Sequence, residues 1–485
     1  MFLGLDLGTS SAKAVIVDDS GQQVAEASAH LNVSRPYPLW SEQDPADWVT
    51  ASETAICSLP KRFREQVRGL GLSGQMHGAT LLDGSGTPLR PAILWNDGRA
   101  HLECSEIEDK EPALRTITGN KAMPGFTAPK LAWVRKNEPE IFSKTRKVVL
   151  PKDYLRFVWT GDYTTDMSDA SGTLWLDVRA RAWSQEMLTG TGLEDGHMPI
   201  LFEGTAVTGE LSQSAATRLG LPRVPVAAGA GDQAAGAVGA SVLQPGEASL
   251  SLGTSGVLFL VTDQFRPNVD EATHAFCHAV PETWHQMAVI LSAASAVDAV
   301  ARMAGFASAV EAYAAAEAHG SSDGVLFLPY LSGERTPHDD PHAKGAFFGL
   351  TSETTPASLV HAALEGVAFA FSDGQDVLKR GGGEIETVSV IGGGARSSYW
   401  GTLLASVLDR PLLYREGAER GPANGAARLA RLAVTSEPIT DVCAPGPVRE
   451  TIAPVPHLKE AYAERFETWR ALYRSTKHLM PQGAQ

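Results

Sequence analysis

Two turns of like composition carry the first chemistry legible in this chain. Leu5-Asp6-Leu7-Gly8-Thr9-Ser10 recurs in part as Leu250-Ser251-Leu252-Gly253-Thr254-Ser255, half a chain later. A strand that ends in Gly-Thr-Ser and reverses into a second strand sets backbone N–H groups and hydroxyls at a hairpin tip. Small residues there let the backbone close around a phosphate. In the first copy Asp6 precedes the turn and Lys13 follows it. A carboxylate suited to hydrated Mg²⁺ and an ammonium suited to phosphate oxygens therefore flank Thr9 and Ser10. The second copy has Ser251 in place of Asp6, so Thr254 reads as part of a phosphate-holding turn with no metal-holding acid. Either turn alone could be an ordinary hairpin; the repetition favours phosphate.

A third acid stands where open α/β sheets place their chemistry. Asp232 follows the expected strand Val224 to Ala228, with Gln233 beside it. A carboxylate at this point can accept a hydroxyl proton late in a loose phosphoryl transfer, or it can cap the helix that follows. Gly229-Ala230-Gly231-Asp232-Gln233-Ala234 also matches the spacing of a dinucleotide fingerprint. It is read as a false match: Asp232 would occupy the pyrophosphate position, and Glu247 falls short of the spacing at which an acid holds a ribose. No Gly-x-x-x-x-Gly-Lys-Ser/Thr loop occurs in the sequence, which excludes a P-loop enzyme. Ile391-Gly392-Gly393-Gly394-Ala395 leads from a strand into a helix, either as a tight turn or as a place for adenosine or its α-phosphate to lie against backbone. Gln75-Met76-His77-Gly78 and Trp95-Asn96-Asp97-Gly98-Arg99 combine directional polar groups with apolar walls, as a polyol pocket requires. The clusters His274 to His278 and His338 to His342 have metal-like spacing but no cysteine pair, and are read as polar loops.

These residues need strands and helices to hold them. Phe2 to Leu7 and Ala14 to Val17 read as an opening hairpin; further strands are expected at Val67 to Leu72, Ala79 to Leu82, Val148 to Leu150 and Val224 to Ala228. Helices are expected at Pro45 to Leu59, Lys130 to Asn137, Pro151 to Thr160 and Leu211 to Leu219. A second series starts near Glu247, with strands at Ala248 to Leu252, Val257 to Val261, Val325 to Leu328 and Thr387 to Ile391. Its helices are expected at Ala293 to Met303, Ala307 to Ala318, Pro356 to Leu378, Ser397 to Leu408 and beyond Gly421. The apolar stretch Met287 to Phe306 is interrupted by polar residues and reads as a buried or amphipathic helix rather than a membrane span. The alternation defines an α/β class, and Gln244-Pro245-Gly246 marks a boundary between domains at 1–243 and 244–485.

Composition agrees. A length of 485 residues suggests two or three domains, and 43% hydrophobic with 20% charged residues is a globular balance. The net charge of −15 disfavours nucleic acid or an anionic membrane as the main partner. Cys57, Cys104, Cys277 and Cys443 are scattered, and Met1 to Asp6 lacks the basic region of a secretory signal, so a reducing cytoplasm is expected.

Together these motifs resemble the FGGY family of carbohydrate kinases, within the actin-like ATPase superfamily, over nearly the whole chain. Gly4 to Ser10 is similar to the family's first phosphate loop, Gly125 to Val134 to its first signature, and Gly345 to Leu350, running on to Glu365, to its second. Ser34-Arg35-Pro36, Trp40 to Pro45, the two polyol clusters and Leu331 to His338 are similar to the ketopentose-phosphorylating branch. The resemblance implies two actin-like (ribonuclease H-like) domains closing over a cleft. It implies a sugar-binding first domain and a second domain holding Mg-ATP, with the γ-phosphate passing to the 5-hydroxyl of D-xylulose. Ribulose or another ketose or polyol is the alternative acceptor. Asp232 would be the general base, and Asp6 would organise Mg²⁺ through water. Met76, His77, Trp95, Asn96, Asp232 and Gln233 would meet the sugar. Thr9, Ser10, Lys13 and Thr254 would meet phosphates, and Gly393, Gly394, Ala395 and Asn424 would line the nucleotide site. Gln233 departs from the Asn common in that branch and agrees with glycerol-phosphorylating members, but Gln75-Met76-His77 differs from their Gln-Arg-Glu. The expected partners are small molecules, sugar and ATP, with no nucleic acid and no membrane; a homodimer is left open.

Overall fold

The structure, a computed structural model, describes residues 1–480; the side chains of residues 395, 396 and 419 lie outside that description. Two mixed sheets repeat one topology. In the first, β1 (Phe2–Leu7), β2 (Ser11–Val17), β3 (Gln23–His30), β4 (Leu70–Gly74) and β5 (Pro225–Ala227) lie in the order β5-β4-β1-β2-β3, with Val207–Glu210 outside β5. In the second, β6 (Glu247–Leu252), β7 (Gly256–Thr262), β8 (Trp284–Ile290), β9 (Thr387–Ile391) and β10 (Leu412–Arg415) lie in the order β8-β7-β6-β9-β10, flanked by His274–Cys277 and Val448–Ile452. In both, the first three strands are antiparallel, and the next two run parallel to the first strand. The parallel strands need crossovers, and these bring helices onto the sheets.

Period-two alternation explains how the first sheet is covered. Leu3, Leu5, Leu7, Ala14 and Ile16 pack on one face with Trp48, Ile56, Leu155 and Trp159 from the helices Pro45–Ser58 and Pro151–Thr160. Phe2, Val15 and Val17 point the other way, onto Ala423, Ala427 and Ala430 of the helix Gly421–Thr435. That helix comes from the second half of the sequence and lies directly on β1 and β4. A Cβ at Gly4 would stand 1.9 Å from the Ala423 carbonyl oxygen, and one at Gly71 would stand 1.9 Å from that of Ala426. Only glycine permits so close an approach.

Several expectations shift: the helix expected from Lys130 begins at Thr127, and the His274 to His278 cluster, read as a polar loop, forms the buried strand His274–Cys277 paired with β8. The strand expected at Val67 to Leu72 forms as Leu70–Gly74, because parallel pairing with β1 continues through Leu7 opposite Gly74. The apolar stretch from Met287 divides between β8 and the helix Ala294–Met303, since antiparallel pairing to β7 persists as far as Ile290 opposite Gly256. No helix among the described residues is long and apolar enough to cross a membrane.

Candidate active site

The chemistry of the first sheet gathers at the ends of β1 and β4 and just beyond the short strand Ala230–Gly231, which pairs with β4 on the side away from β1. Leu7, Gly74 and Gly231 are in register across the three strands, so Asp6 and Asp232 lie on either side of β4. Asp6 accepts a 3.0 Å hydrogen bond from Ser73 Oγ, its neighbour on β4. Lys13 is its partner across the hairpin, and its ammonium sits 3.0 Å from Glu26. Burial raises the Asp6 carboxyl to about 6, against the opposing pull of Ser73 and Lys13.

Asp232 opens the helix Asp232–Gly239, but Gly231 is the N-cap and no side chain caps that end. The Asp232 Oδ1 instead accepts from the Gln233 N–H at 2.7 Å. Burial, reinforced by the charge on Asp6, raises Asp232 to about 7, while the bonds from Gln233 oppose the rise. A carboxyl raised to about 7, as Asp232 is, is poised to exchange a proton near neutral pH. The strand, turn and helix of the fingerprint-like Gly229 to Ala234 do form, with the Asp232 carboxylate bonded to the Gln233 N–H at the helix start, where a dinucleotide site would present that N–H to a pyrophosphate.

His77 follows β4 and adopts left-handed backbone, φ 69°. For a histidine this is unfavourable by ~1–2 kcal/mol, and its neighbours hold it there. Its carbonyl accepts from Lys130 Nζ at 2.9 Å and from Thr127 Oγ1 at 3.2 Å. Both donors belong to the helix Thr127–Asn137, which gives the segment Gly125 to Val134 a physical purpose that its sequence did not disclose. His77 Nδ1 lies 2.7 Å from the Gly172 carbonyl oxygen. A carbonyl can only accept, so Nδ1 carries the proton and Nε2 is left as an acceptor. Burial, with Lys130 nearby, lowers His77 to about 3, and the ring is neutral at working pH. Phe126 packs edge-on against it, and Phe276 of the second half lies 6.4 Å away, centroid to centroid. Met76 is buried beside Gly231.

Thr9 faces this cluster. Its hydroxyl donates to Gln75 Oε1 at 3.0 Å and accepts from Trp95 Nε1 at 2.9 Å. Gln75 in turn donates to Gln43, whose amide also binds the Thr9 carbonyl. Ser10 is exposed at the tip. Trp95 and Asn96 are exposed on their loop, and Asp97 and Arg99 form its buried buttress: Arg99 bridges Asp97 and Glu42, both at 2.7 Å, and stacks on Trp40.

In the second sheet the matching strand ends line a cavity of about 580 Å³. Gly253 and Thr254 at the β6 end meet Gly393 and Gly394 at the β9 end, and the helices Ala294–Met303 and Ala309–His319 close the far side through Asp298 and Tyr313. The glycine loop after β9 is thus the counterpart of the Gln75–Gly78 loop after β4. Thr254 is tied to the adjoining helix, its carbonyl accepting from Ser295 Oγ at 2.7 Å. Ala395 shares the 3-10 turn Gly393–Arg396, and its side chain lies outside the described residues. Asn424 does not line this cavity: it is buried on the helix that covers β1, where its Nδ2 donates to Gln23 at 2.6 Å. Asp298 and Tyr313 are on helices the sequence indicated, but nothing in the residue pattern told which face turns toward the glycines.

Among the described residues no three His, Cys, Asp or Glu side chains form a metal cage. His274 instead meets Asn120 at 3.0 Å, and His338 stacks on Tyr473. A half-buried carboxylate such as Asp6, with a single hydroxyl partner, fits a Mg²⁺ that keeps most of its waters and arrives with a nucleotide.

Duplicated sheets of this order, with acids at one set of strand ends and a glycine-lined cavity at the other, define a two-domain α/β phosphotransferase of the actin-like ATPase fold. Residues 1–239 match the N-terminal domain of the FGGY family of carbohydrate kinases and residues 248–434 its C-terminal domain; the chain belongs to that family and is a carbohydrate kinase. It is 50% identical over 483 residues to the xylulose kinase of Escherichia coli K12, covering 99% of this chain and 100% of that protein. It is 35% identical to the xylulose kinase of Bacillus subtilis, over 98% of this chain and 97% of the relative. Among solved structures, one described as a xyloylose kinase from Brucella ovis superimposes with a TM-score of 0.95 at 48% identity, covering 99% of both chains. The xylulose kinase of Rhodospirillum rubrum does so with a TM-score of 0.91 at 29% identity, again over 99% of both.

Proposed function

We infer that this carbohydrate kinase transfers the γ-phosphate of Mg-ATP to the 5-hydroxyl of D-xylulose, giving D-xylulose 5-phosphate and ADP. The observation that carries the chemistry is the placing of Asp232, raised to about 7, beside Asp6 and near the ends of the strands that present Met76 and His77. Full-length identity of 50% to curated xylulose kinases supports the choice of sugar.

In this reading the sugar lies against Met76 and Trp95, and His77 Nε2 accepts a hydrogen bond from one of its hydroxyls. Gln233 and Asn96 bound the same space. The nucleotide occupies the cavity of Thr254, Gly393 and Gly394, its phosphates directed toward the Gly8–Ser10 turn and Lys13. As the 5-oxygen bonds to the γ-phosphorus and the bond to ADP breaks, Asp232 takes the hydroxyl proton. Lys13 offers its ammonium to the transferring phosphate. The Thr9 hydroxyl, held by Gln75 and Trp95, ties the phosphate turn to the sugar loop. Mg²⁺, held by Asp6 through water, would neutralise phosphate charge. The division at 243/244 is our proposed boundary between a sugar domain and a nucleotide domain. A cytoplasmic setting accords with four free thiols, three of them buried.

The test is a panel of ketoses and polyols in a coupled ADP-release assay. D-xylulose should give the highest kcat/KM; a higher value with ribulose or glycerol would reassign the substrate.

A further inference from the structure

The helix that Asp232 begins ends at Gly239, and there a second crevice of about 380 Å³ opens between the two halves of the chain. The turn Ser20 to Gln22 between β2 and β3 forms one wall, Gly239 to Ser241 another, and second-half loops near Glu416 and Gly446 complete it. Among the described residues, four guanidiniums line it, those of Arg415, Arg420, Arg428 and Arg431, with two carboxylates, Glu416 and Asp441.

Arg431 is neutralised by Glu437 at 2.6 Å. Arg415, Arg420 and Arg428 have no carboxylate within 4.0 Å among the described residues. They donate instead to neutral oxygens. Arg415 Nη1 reaches the Gly446 carbonyl at 3.2 Å, and Arg420 Nη1 reaches that of Gly21 at 3.0 Å. Arg428 Nη1 reaches the Val238 carbonyl and Ser241 Oγ, both at 2.8 Å. A guanidinium has five N–H donors in a planar fork. Anchoring each fork through one nitrogen fixes its plane and leaves other donors for a ligand. Burial holds Arg428 below the ordinary arginine range, and the like charge of Arg420 adds a smaller push in the same direction.

We propose that this crevice is a binding site for a small phosphate dianion, either inorganic phosphate or the head of a sugar phosphomonoester. It is separate from the strand ends that carry Asp6 and Asp232. Planar, bidentate forks converging from several directions match phosphate oxygens. All these arginines belong to the second half of the chain, and two of them are anchored on first-half carbonyls, those of Gly21 and Val238, so a dianion seated here would bind groups that tie the two halves together.

Calorimetric titration of the full chain with inorganic phosphate, and separately with ribose 5-phosphate, tests this. Wild type should bind at least one probe, and the tighter one identifies the source. Arg415→Gln and Arg420→Gln should each weaken binding by about tenfold, the loss of a charge-assisted hydrogen bond. Lys13→Gln, at the remote phosphate turn, should leave it unchanged. Glu416→Gln, at an exposed position on the rim, removes an opposing charge and should tighten binding. It also serves as the test if the arginine variants do not fold. Failure of both probes to bind would overturn the proposal. So would loss of binding in Lys13→Gln with the arginine variants unaffected, or unchanged affinity in Glu416→Gln.

Discussion

Asp6 and Asp232 flank one strand, and the charge on Asp6 helps raise the Asp232 carboxyl to about 7. The pair is far apart in sequence and joined only by β4. An acid at Asp6 that would organise Mg²⁺ thereby also tunes the acid that would take the proton. A cation held at Asp6 would lessen that repulsion and favour the ionised form of Asp232.

Replacing Asp232 with Ala should lower kcat by about 10²–10⁴, the range of a positioned general base. ATP affinity, measured by fluorescence or calorimetry, should change little, because Asp232 does not line the cavity of Thr254 and Gly394. Near-normal turnover would remove Asp232 from the chemistry.

The pH profile follows from the same carboxyl. Its pKa is raised to about 7, so the free enzyme loses its base as pH falls through that value. The kcat/KM should decline by about tenfold per pH unit below it, and more steeply once Asp6 titrates near about 6. A rate independent of pH between 5 and 8 (roughly the span that brackets both groups) would contradict this assignment.

His77→Ala should raise the KM for sugar by several-fold or more and leave the KM for ATP nearly unchanged. Because the ring stays neutral down to about 3, the sugar KM should show no histidine titration near pH 6–7, the ordinary range for that side chain. A sugar KM unaltered in His77→Ala would make the residue purely a packing element.

The glycines after β9 should separate function from stability. Nothing lies within 4 Å of a Cβ at Gly393, whereas one at Gly394 would stand 2.7 Å from Trp400 and 2.8 Å from Leu252. Gly393→Val should therefore raise the KM for ATP with little change in Tm. Gly394→Val should unfold earlier, by about 1–3 kcal/mol, the usual cost of overpacking. Equal behaviour of the two variants in thermal melts and ATP titrations would count against the placement of the cavity.

Gly71→Val offers a purely structural check. Its Cβ would meet the Ala426 carbonyl oxygen at 1.9 Å, forcing the helix Gly421–Thr435 off the first sheet. Loss of several kcal/mol in denaturant unfolding is expected; an unaltered midpoint would mean that the helix does not sit where the structure has it.

Much of this molecule is determined locally, and the sequence alone made that part plain. Both Gly-Thr-Ser hairpins, the helix Pro151–Thr160 and the strand Thr387–Ile391 follow from short-range periodicity and turn chemistry. So does the candidacy of Asp6, Asp232 and the glycines at 392–394 as groups able to do chemistry. The C-terminal helix Pro456–Thr476 escaped because only Tyr462, Trp469 and Tyr473 are fully buried on it, too sparse an apolar stripe to announce a core helix. Tertiary structure alone decided that Thr9 joins Gln75 and Trp95 and that Lys130 and Thr127 hold His77 in left-handed backbone. It also decided that Asn424 turns toward Gln23 rather than toward the nucleotide cavity. The reason is physical: each of these contacts joins segments tens to hundreds of residues apart, and its partner is selected by parallel strand pairing and helix packing across the sheet, neither of which leaves a periodic trace in the residues themselves.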